Sequence, residues 1–399
     1  MSNFKVEFTL KQHTPLIHFQ SDQAGATLRA TELKPKFDKF LKEHVFGGEI
    51  PKEFLTDKDK DALSYKVKIE HIETKEIEIK NKTYFGNMGK DTSDKEFKHA
   101  IHCLSDFKIE FVVFNDTIKS AIENYFASFM AITNFGTRQN KGFGSFYISK
   151  KDTTYYIEPI EALKKIDTNF IYAIYGNQSS EKVFEQIEII YPLMKTGINY
   201  PDYRKKEITD RNGNIKKVPD PSQGRGEKAS YYKSYLFSYM LGKNPSIGNE
   251  KRFIKENFFE NKIKSDGITK KYVRAMLGIG DGIEFKDHER RGKIEYSNPK
   301  IERFKSPLTF KVIENQLFII INKIDNVMFN NEFTFKDKYG TPKKIRTPAS
   351  NDFDIIDFVH SFADYFNNEI NVSKVKEKRN IFDEKILVAK NMKFIKASS

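Results

Sequence analysis

The stretch NFGTRQNKGFGSF, residues 134–146, gathers the residues best able to do chemistry. Gly136, Gly142 and Gly144 surround Arg138, Gln139, Asn140 and Lys141. Glycine admits positive φ and close backbone approach, so amides in such a loop can face an anion. Arg138 and Lys141 add positive charge, and Phe143 either offers a ring to a base or packs inward. The stretch lacks the Gly-Lys-Ser/Thr end of a P-loop and the G-x-G-x-x-G of a dinucleotide fold. Turn chemistry explains Gly136 as a helix cap and a bulge at Gly142 and Gly144, but not the two cations. The loop is expected to grip a phosphate backbone.

Three further stretches carry candidate anion contacts. HTPLIHFQSDQAGATLRATELKP, beginning at residue 13, leads through Gly25 to Arg29 and Lys34 at a helix start. The helix dipole disfavours cations there, whereas an anion held at the helix N-terminus would favour them. Residues 201–230 are densely basic, with Arg204, Lys205, Arg225 and Lys228. In ERFKSPLTFKV, Arg303 and Lys305 precede a strand. A solvated arginine or a charged turn accounts equally for Arg29 or Arg303 taken alone.

Catalytic and metal candidates are few. Eight histidines are scattered without an H-x-x-x-H or H-E-x-x-H pattern. His13 and His18 could act as base and acid in RNA cleavage by 2′-hydroxyl attack, although flanking a strand is the simpler role for them. Asp22 alone makes a weak metal site. The single cysteine, Cys103, excludes an intrachain disulfide framework and a cysteine-based zinc site. No cofactor or metal is expected.

The elements that must position these groups follow hydrophobic periodicity. Phe4, Val6, Phe8 and Leu10 alternate as a half-buried strand. KPKFDKFLKEHV reads as a helix with Pro35 in its first turn. Alternating runs at Leu63–Ile69 and Phe107–Val113 precede a helix with Ile118, Ile122, Phe126, Phe129 and Met130 on one face, capped by Asn115 or Asp116. After the glycine loop, FGSFYIS closes a β-α-β-β-α-β order, the ferredoxin-like order. The second half repeats it in outline: a strand at 169–176, a helix capped by Ser180, a departure over about 200–300, a hairpin around Glu314-Asn315, a helix near 351–368 and a closing strand. Further hairpins are expected around Asn212-Gly213 and within residues 330–350.

The chain has 399 residues and 36 phenylalanines, enough for two Phe-rich cores. Its formal charge of +13 favours polyanionic partners, although an AT-rich genome would produce much of the same lysine excess. No apolar run is long enough for a membrane span, and the N-terminus lacks a signal-peptide core, so a cytoplasmic protein is expected.

The motifs TPL after the first strand, GATLRATELK entering the first helix, RQNKGFGSF and RFKSPLTFKV together resemble RAMP proteins of CRISPR systems. Within that superfamily the chain is most similar to the large two-domain RAMP subunit of the type III-B effector complex. The resemblance implies an α+β protein of two tandem ferredoxin-like (RRM-like) domains, 1–152 and 153–399, the second with a large helical insertion at about 200–300. It implies an RNA-binding, non-catalytic subunit that contacts crRNA or captured target RNA near the guide's 3′ end, alongside other subunits of an effector complex. The family's glycine-rich loop falls on Gly136, Arg138, Lys141, Gly142, Phe143 and Gly144, and its first-helix entry on Gly25, Leu28, Arg29 and Lys34. The chain departs from the pattern in having no glycine-rich loop near NVSKVKEKRN. Three alternatives stand beside this reading: an endoribonuclease processing precursor crRNA through His13 or His18, a target-cleaving subunit using Asp22, and a structural interaction protein basic only through composition.

Overall fold

The computed structural model describes residues 4–17, 27–57, 60–70, 72–78, 99–175, 180–200, 202–209, 213–227, 229–259, 265–280, 283–286, 291–337, 340–370, 381–389 and 392–397. The chain packs as two compact units. One comprises Met1–Val183, Leu308–Ile320 and Ala397–Ser399; the other comprises Phe184–Pro307 and Ile321–Lys396.

The first unit is built on strand β1 (Lys5–Gln12), whose alternation buries Val6, Phe8 and Leu10 and exposes Lys5 and Glu7. After helix α1 (Ala30–His44) come β2 (Tyr65–Ile69) and β3 (Phe107–Val113), then helix α2 (Asp116–Ile132) and β4 (Phe146–Ile148). These strands form one antiparallel sheet in the order β2-β3-β1-β4. Phe8 faces Ile109 and Leu10 lies between Phe107 and Ile148, so the apolar residues share one side of the pleat. The helices close that side. Phe37 of α1 meets Phe111 of the sheet at 5.9 Å and Phe126 and Phe129 of α2 at 5.3 and 4.8 Å, centroid to centroid.

Helix α2 begins as its sequence says, with the Asn115 side chain accepting from the Ile118 amide at 3.0 Å. Helix α1 starts earlier than its sequence indicates. Arg29 occupies its N-cap without a side-chain cap, so no capping signal marks the start, and Pro35 falls inside the helix rather than in its first turn.

Three later strands belong to a separate sheet that falls almost wholly within this unit: β5 (Phe170–Ile174), β6 (Leu308–Ile313) and β7 (Gln316–Ile321). β6 and β7 are adjacent around Glu314-Asn315, and β7 pairs antiparallel with β5, Phe318 opposite Tyr172.

In the second unit, residues 200–300 correct the expectation of a helical insertion. Their described part holds helices at Tyr235–Lys243 and Glu250–Ile254 but more strand than helix. Strands Ile247–Asn249, Thr269–Lys271, Ile283–Lys286 and Arg291–Ser297 join Glu332–Lys336 and Lys343–Arg346 in a six-stranded sheet. Period-two patterning such as IEYS outweighs helix propensity there, because one face is buried at Ile294. The hairpin expected within 330–350 is present, with Phe333 opposite Ile345. A second hairpin, Lys205–Thr209 with Ile215–Pro219, is exposed along nearly its whole length.

Candidate nucleic-acid interface

The glycine-rich loop is a compact knot. Asn134, at its entry, donates from Nδ2 to the Gln139 carbonyl at 2.7 Å and to the Phe310 carbonyl at 2.9 Å. The Phe135 amide donates to the Gly144 carbonyl at 2.9 Å, which closes the loop on itself. Thr14 braces the exit, its hydroxyl donating to the Gly142 carbonyl at 2.6 Å and accepting from the Ser145 amide at 2.9 Å. The glycines are obligatory at two points. Gly136 (φ +75°) and Gly144 (φ +67°) lie in the left-handed region, and a Cβ would run into the Ile17 carbonyl at the first and the Phe135 carbonyl at the second.

This geometry corrects the expectation that the loop's amides face an anion. The Gly136 amide already has one, the protein's own Glu32 carboxylate at 3.0 Å. The Thr137 amide donates to Ile17, Lys141 to Arg138, Gly142 to Gln139 and Gly144 to Pro15. A buried amide needs a partner, and here the fold supplies it. Phe143 is 1% exposed, so of its two readings the inward-packed one holds and it offers no ring to a base. What remains at the surface is the tip, where Thr137, Arg138, Gln139, Asn140 and Lys141 are half-exposed. Arg138 stands out there, with φ 56° on a residue that bears a Cβ.

The other anticipated residues are scattered. Arg29 is exposed at the start of α1. Lys34 turns along its own helix, donating to Asp38 at 2.7 Å and to the Leu63 carbonyl at 2.9 Å, and its Nζ lies 4.1 Å from the Tyr65 ring centre. It also borders an open cleft with Lys39 and Lys42. In the second unit Arg204, Lys205, Arg225 and Arg303 are exposed, and the Arg225 guanidinium stacks 5.9 Å above the Tyr231 ring. His18, Asp22, Gly25 and Lys228 lie outside the described residues.

His13 has a structural occupation. Its Nδ1 accepts from the Glu314 amide at 3.2 Å. Burial first, then the charges of Lys11, Lys311, His102 and Lys150, hold its pKa well below the usual imidazole value. A group so disfavoured as a cation is a weak proton acceptor. Among the described residues, no three His, Cys, Asp or Glu side chains could together hold a metal, and no helix is long and apolar enough to cross a membrane.

Sequence reasoning missed the residues that hold the loop. Glu32 Oε1 accepts from Lys36 at 2.7 Å as well as from Gly136. Lys36 also donates to the Asn134 carbonyl at 3.0 Å. Lys311, inside β6, donates to the Thr133 and Phe146 carbonyls at 2.6 and 2.9 Å. One signal was available: a lysine within the largely apolar strand LTFKVI, whose positions are all buried.

Comparison with known proteins now bears on the whole chain. The signature of the Cmr1 N-terminal domain matches residues 3–198, and that of the Cmr1 C-terminal domain matches residues 231–392. Comparison with curated protein sequences gives no match. Among solved structures the chain is similar to apo Cmr1 from Pyrococcus furiosus, at 12% identity and a TM-score of 0.41, covering 90% of this chain and 96% of that one. With both domain signatures in order along most of its length, the chain belongs to the Cmr1 family of RAMP proteins of type III-B CRISPR systems.

Proposed function

We propose that this chain is the RNA-binding, non-catalytic subunit of a type III-B effector ribonucleoprotein, gripping crRNA or captured target RNA near the guide's 3′ end in antiviral defence. Its two halves are then tandem ferredoxin-like modules, about 1–152 and 153–399, although the strands β5, β6 and β7 of the second module fall almost wholly within the first compact unit. The β-α-β-β-α-β order of the first sheet's elements supports this, as does a β-α…β-β-α-β order in the second half. Other effector subunits would be its protein partners and the cytoplasm its compartment.

The observation that carries the RNA reading is Arg138. A left-handed conformation on a residue with a Cβ costs about 1–2 kcal/mol, and glycine would avoid it. Arg138 sits half-exposed on the tip of a turn braced from within the fold, three residues from the half-exposed Lys141, and this pairing of two cations on one turn supports the reading. Successive phosphates along a single strand suit two cations presented on one rigid turn. In this reading Arg29 and Lys34 of the first unit, and separately Arg204, Lys205, Arg225 and Arg303 of the second, are further RNA contacts. A pre-crRNA endonuclease finds less support, because His13 is held neutral and hydrogen-bonded.

The test is a titration of single-stranded RNA against salt. Each phosphate contact contributes about −0.7 to the log–log slope, so Arg138→Ala with Lys141→Ala should weaken binding to every sequence and shallow the slope by about 1.4. Unchanged affinity in that double variant removes the loop from the interface. A flat salt dependence in the wild type favours a structural protein that binds no RNA.

A further inference from the structure

The glycine-rich loop rests on a floor distant in sequence. Three successive residues of β6 hold it. The Phe310 carbonyl accepts from Asn134 Nδ2, and the Phe310 amide donates to the Asn140 carbonyl at 3.2 Å. The Val312 carbonyl accepts from the Ser145 hydroxyl at 2.6 Å. Between them Lys311, 0% exposed, reaches the Thr133 and Phe146 carbonyls. Thr133 directly follows α2, and Phe146 is the first residue of β4, so one nitrogen ties together the two ends of the loop.

A lysine is an expensive residue for this slot. Both of its acceptors are main-chain carbonyls rather than carboxylates, and an ammonium buried without a counter-charge is strongly disfavoured. Burial, and then the charge of Lys36, push its pKa well below that of an ordinary lysine. The nitrogen carries an N–H for each of the two carbonyls, so both hydrogen bonds can be made at once. An aliphatic side chain would fill the same space at lower cost, so the identity of the residue lies in what its tip ties together.

We propose that Lys311 is the positioning residue of the RNA-gripping loop: by fixing the separation of Thr133 and Phe146 it sets the turn that presents Arg138 and Lys141 to consecutive phosphates, and it touches no phosphate itself. The inference rests on the RNA-binding reading above. Removing the amine leaves the cations in place but loosens the turn that carries them, so affinity falls while the number of phosphate contacts does not.

The experiment uses the full chain, with Lys311→Met, Lys311→Gln and the Arg138→Ala/Lys141→Ala double variant, and two readouts. One is hydrogen exchange of the amides at 135–145; the other is binding of a uridine-rich single-stranded oligoribonucleotide across salt concentrations. Lys311→Met should speed loop exchange with the interior of α2 unchanged, and should weaken binding about 10-fold, the worth of one to two hydrogen bonds, at an unaltered salt slope. Lys311→Gln keeps two N–H donors and should recover part of both. Unchanged loop exchange overturns the proposal, as does faster exchange with unchanged affinity. A slope shallower by about 0.7 overturns it too, because Lys311 would then be a direct phosphate contact. If Lys311→Met does not fold, Lys311→Gln decides by the same criteria. The double variant keeps the two ideas apart: full affinity there defeats the RNA reading, while loop exchange still reports on the clamp.

Discussion

The glycine-rich loop and the hairpin at 205–219 use the same letters in opposite ways. Both combine glycine with lysine, arginine and asparagine, and both present cations to solvent. In the loop the backbone is held from Glu32, Thr14, Ile17 and Phe310 before any partner arrives. In the hairpin both strands are exposed, Ile215 is 68% exposed, and Lys206 and Lys217 have weak surface pairings with Asp220 and Glu207 at 3.6 and 3.5 Å. A two-stranded hairpin without a buried face is marginal. Fixing each backbone residue costs about 1–2 kcal/mol, so a surface whose order comes from the fold binds without that cost at the moment of contact. Charge count does not distinguish the two regions; prior order does.

The largest expected effect breaks the comparison at its glycines. Gly144→Ala places a methyl group against the Phe135 carbonyl at positive φ, and should lower stability by about 2–4 kcal/mol in urea unfolding. Gly213→Ala, at φ +81° with nothing within 4 Å of its added Cβ, should cost about 1 kcal/mol or less. Equal costs would mean that the loop is no more built than the hairpin.

The next effect sharpens the functional side. Arg138→Gly should raise stability by about 1 kcal/mol, by relieving the left-handed strain, while weakening RNA binding several-fold. Arg204→Ala with Lys205→Ala on the hairpin side should shallow the salt slope less than Arg138→Ala/Lys141→Ala does. The reverse order would make the second unit's basic stretch the principal grip.

The smallest effect is a pH dependence. His13 takes up a proton at lower pH in the folded chain than in the unfolded one, so as pH falls below the ordinary imidazole range only the unfolded state gains a proton. Stability is therefore full above about pH 6.5 and declines below it, by at most about 1.4 kcal/mol per pH unit for this group. The groups acting on the imidazole are Lys11, Lys311, His102 and Lys150, with the Glu314 amide on Nδ1. His13→Gln should flatten that decline between pH 6.5 and 5. An identical pH profile in the variant would mean that the imidazole is not held neutral.

Much of the first unit was legible because its signals are local. Alternation in Lys5–Gln12 fixed which residues face the core, Asn115 marked the start of α2, and Glu314-Asn315 marked a hairpin. The start of α1 was not legible, since Arg29 makes no side-chain cap. Nor was the six-stranded sheet beyond its 332–346 hairpin, since Thr269–Lys271 pairs with Lys343–Arg346 and Arg291–Ser297 with Glu332–Lys336, far along the chain. In the site, the glycines and the two cations were visible as letters. That the Gly136 amide meets Glu32, and that Lys311 grips both ends of the loop, depends on long-range packing that no local pattern encodes.

Because Leu308–Ile320 belong to the first compact unit, that unit gains β6 only after roughly three-quarters of the chain has been synthesised. At about 5–20 residues per second, the ribosome delivers Phe310, Lys311 and Val312 on the order of ten seconds or more after the glycine loop has emerged. During that interval the nascent loop lacks its floor, and the Ser145 hydroxyl and the Asn134 amide lack their carbonyls on β6. The glycine-rich loop is thus made early and set late, and a gene fragment ending before codon 308 would encode its two cations without the strand that braces their turn.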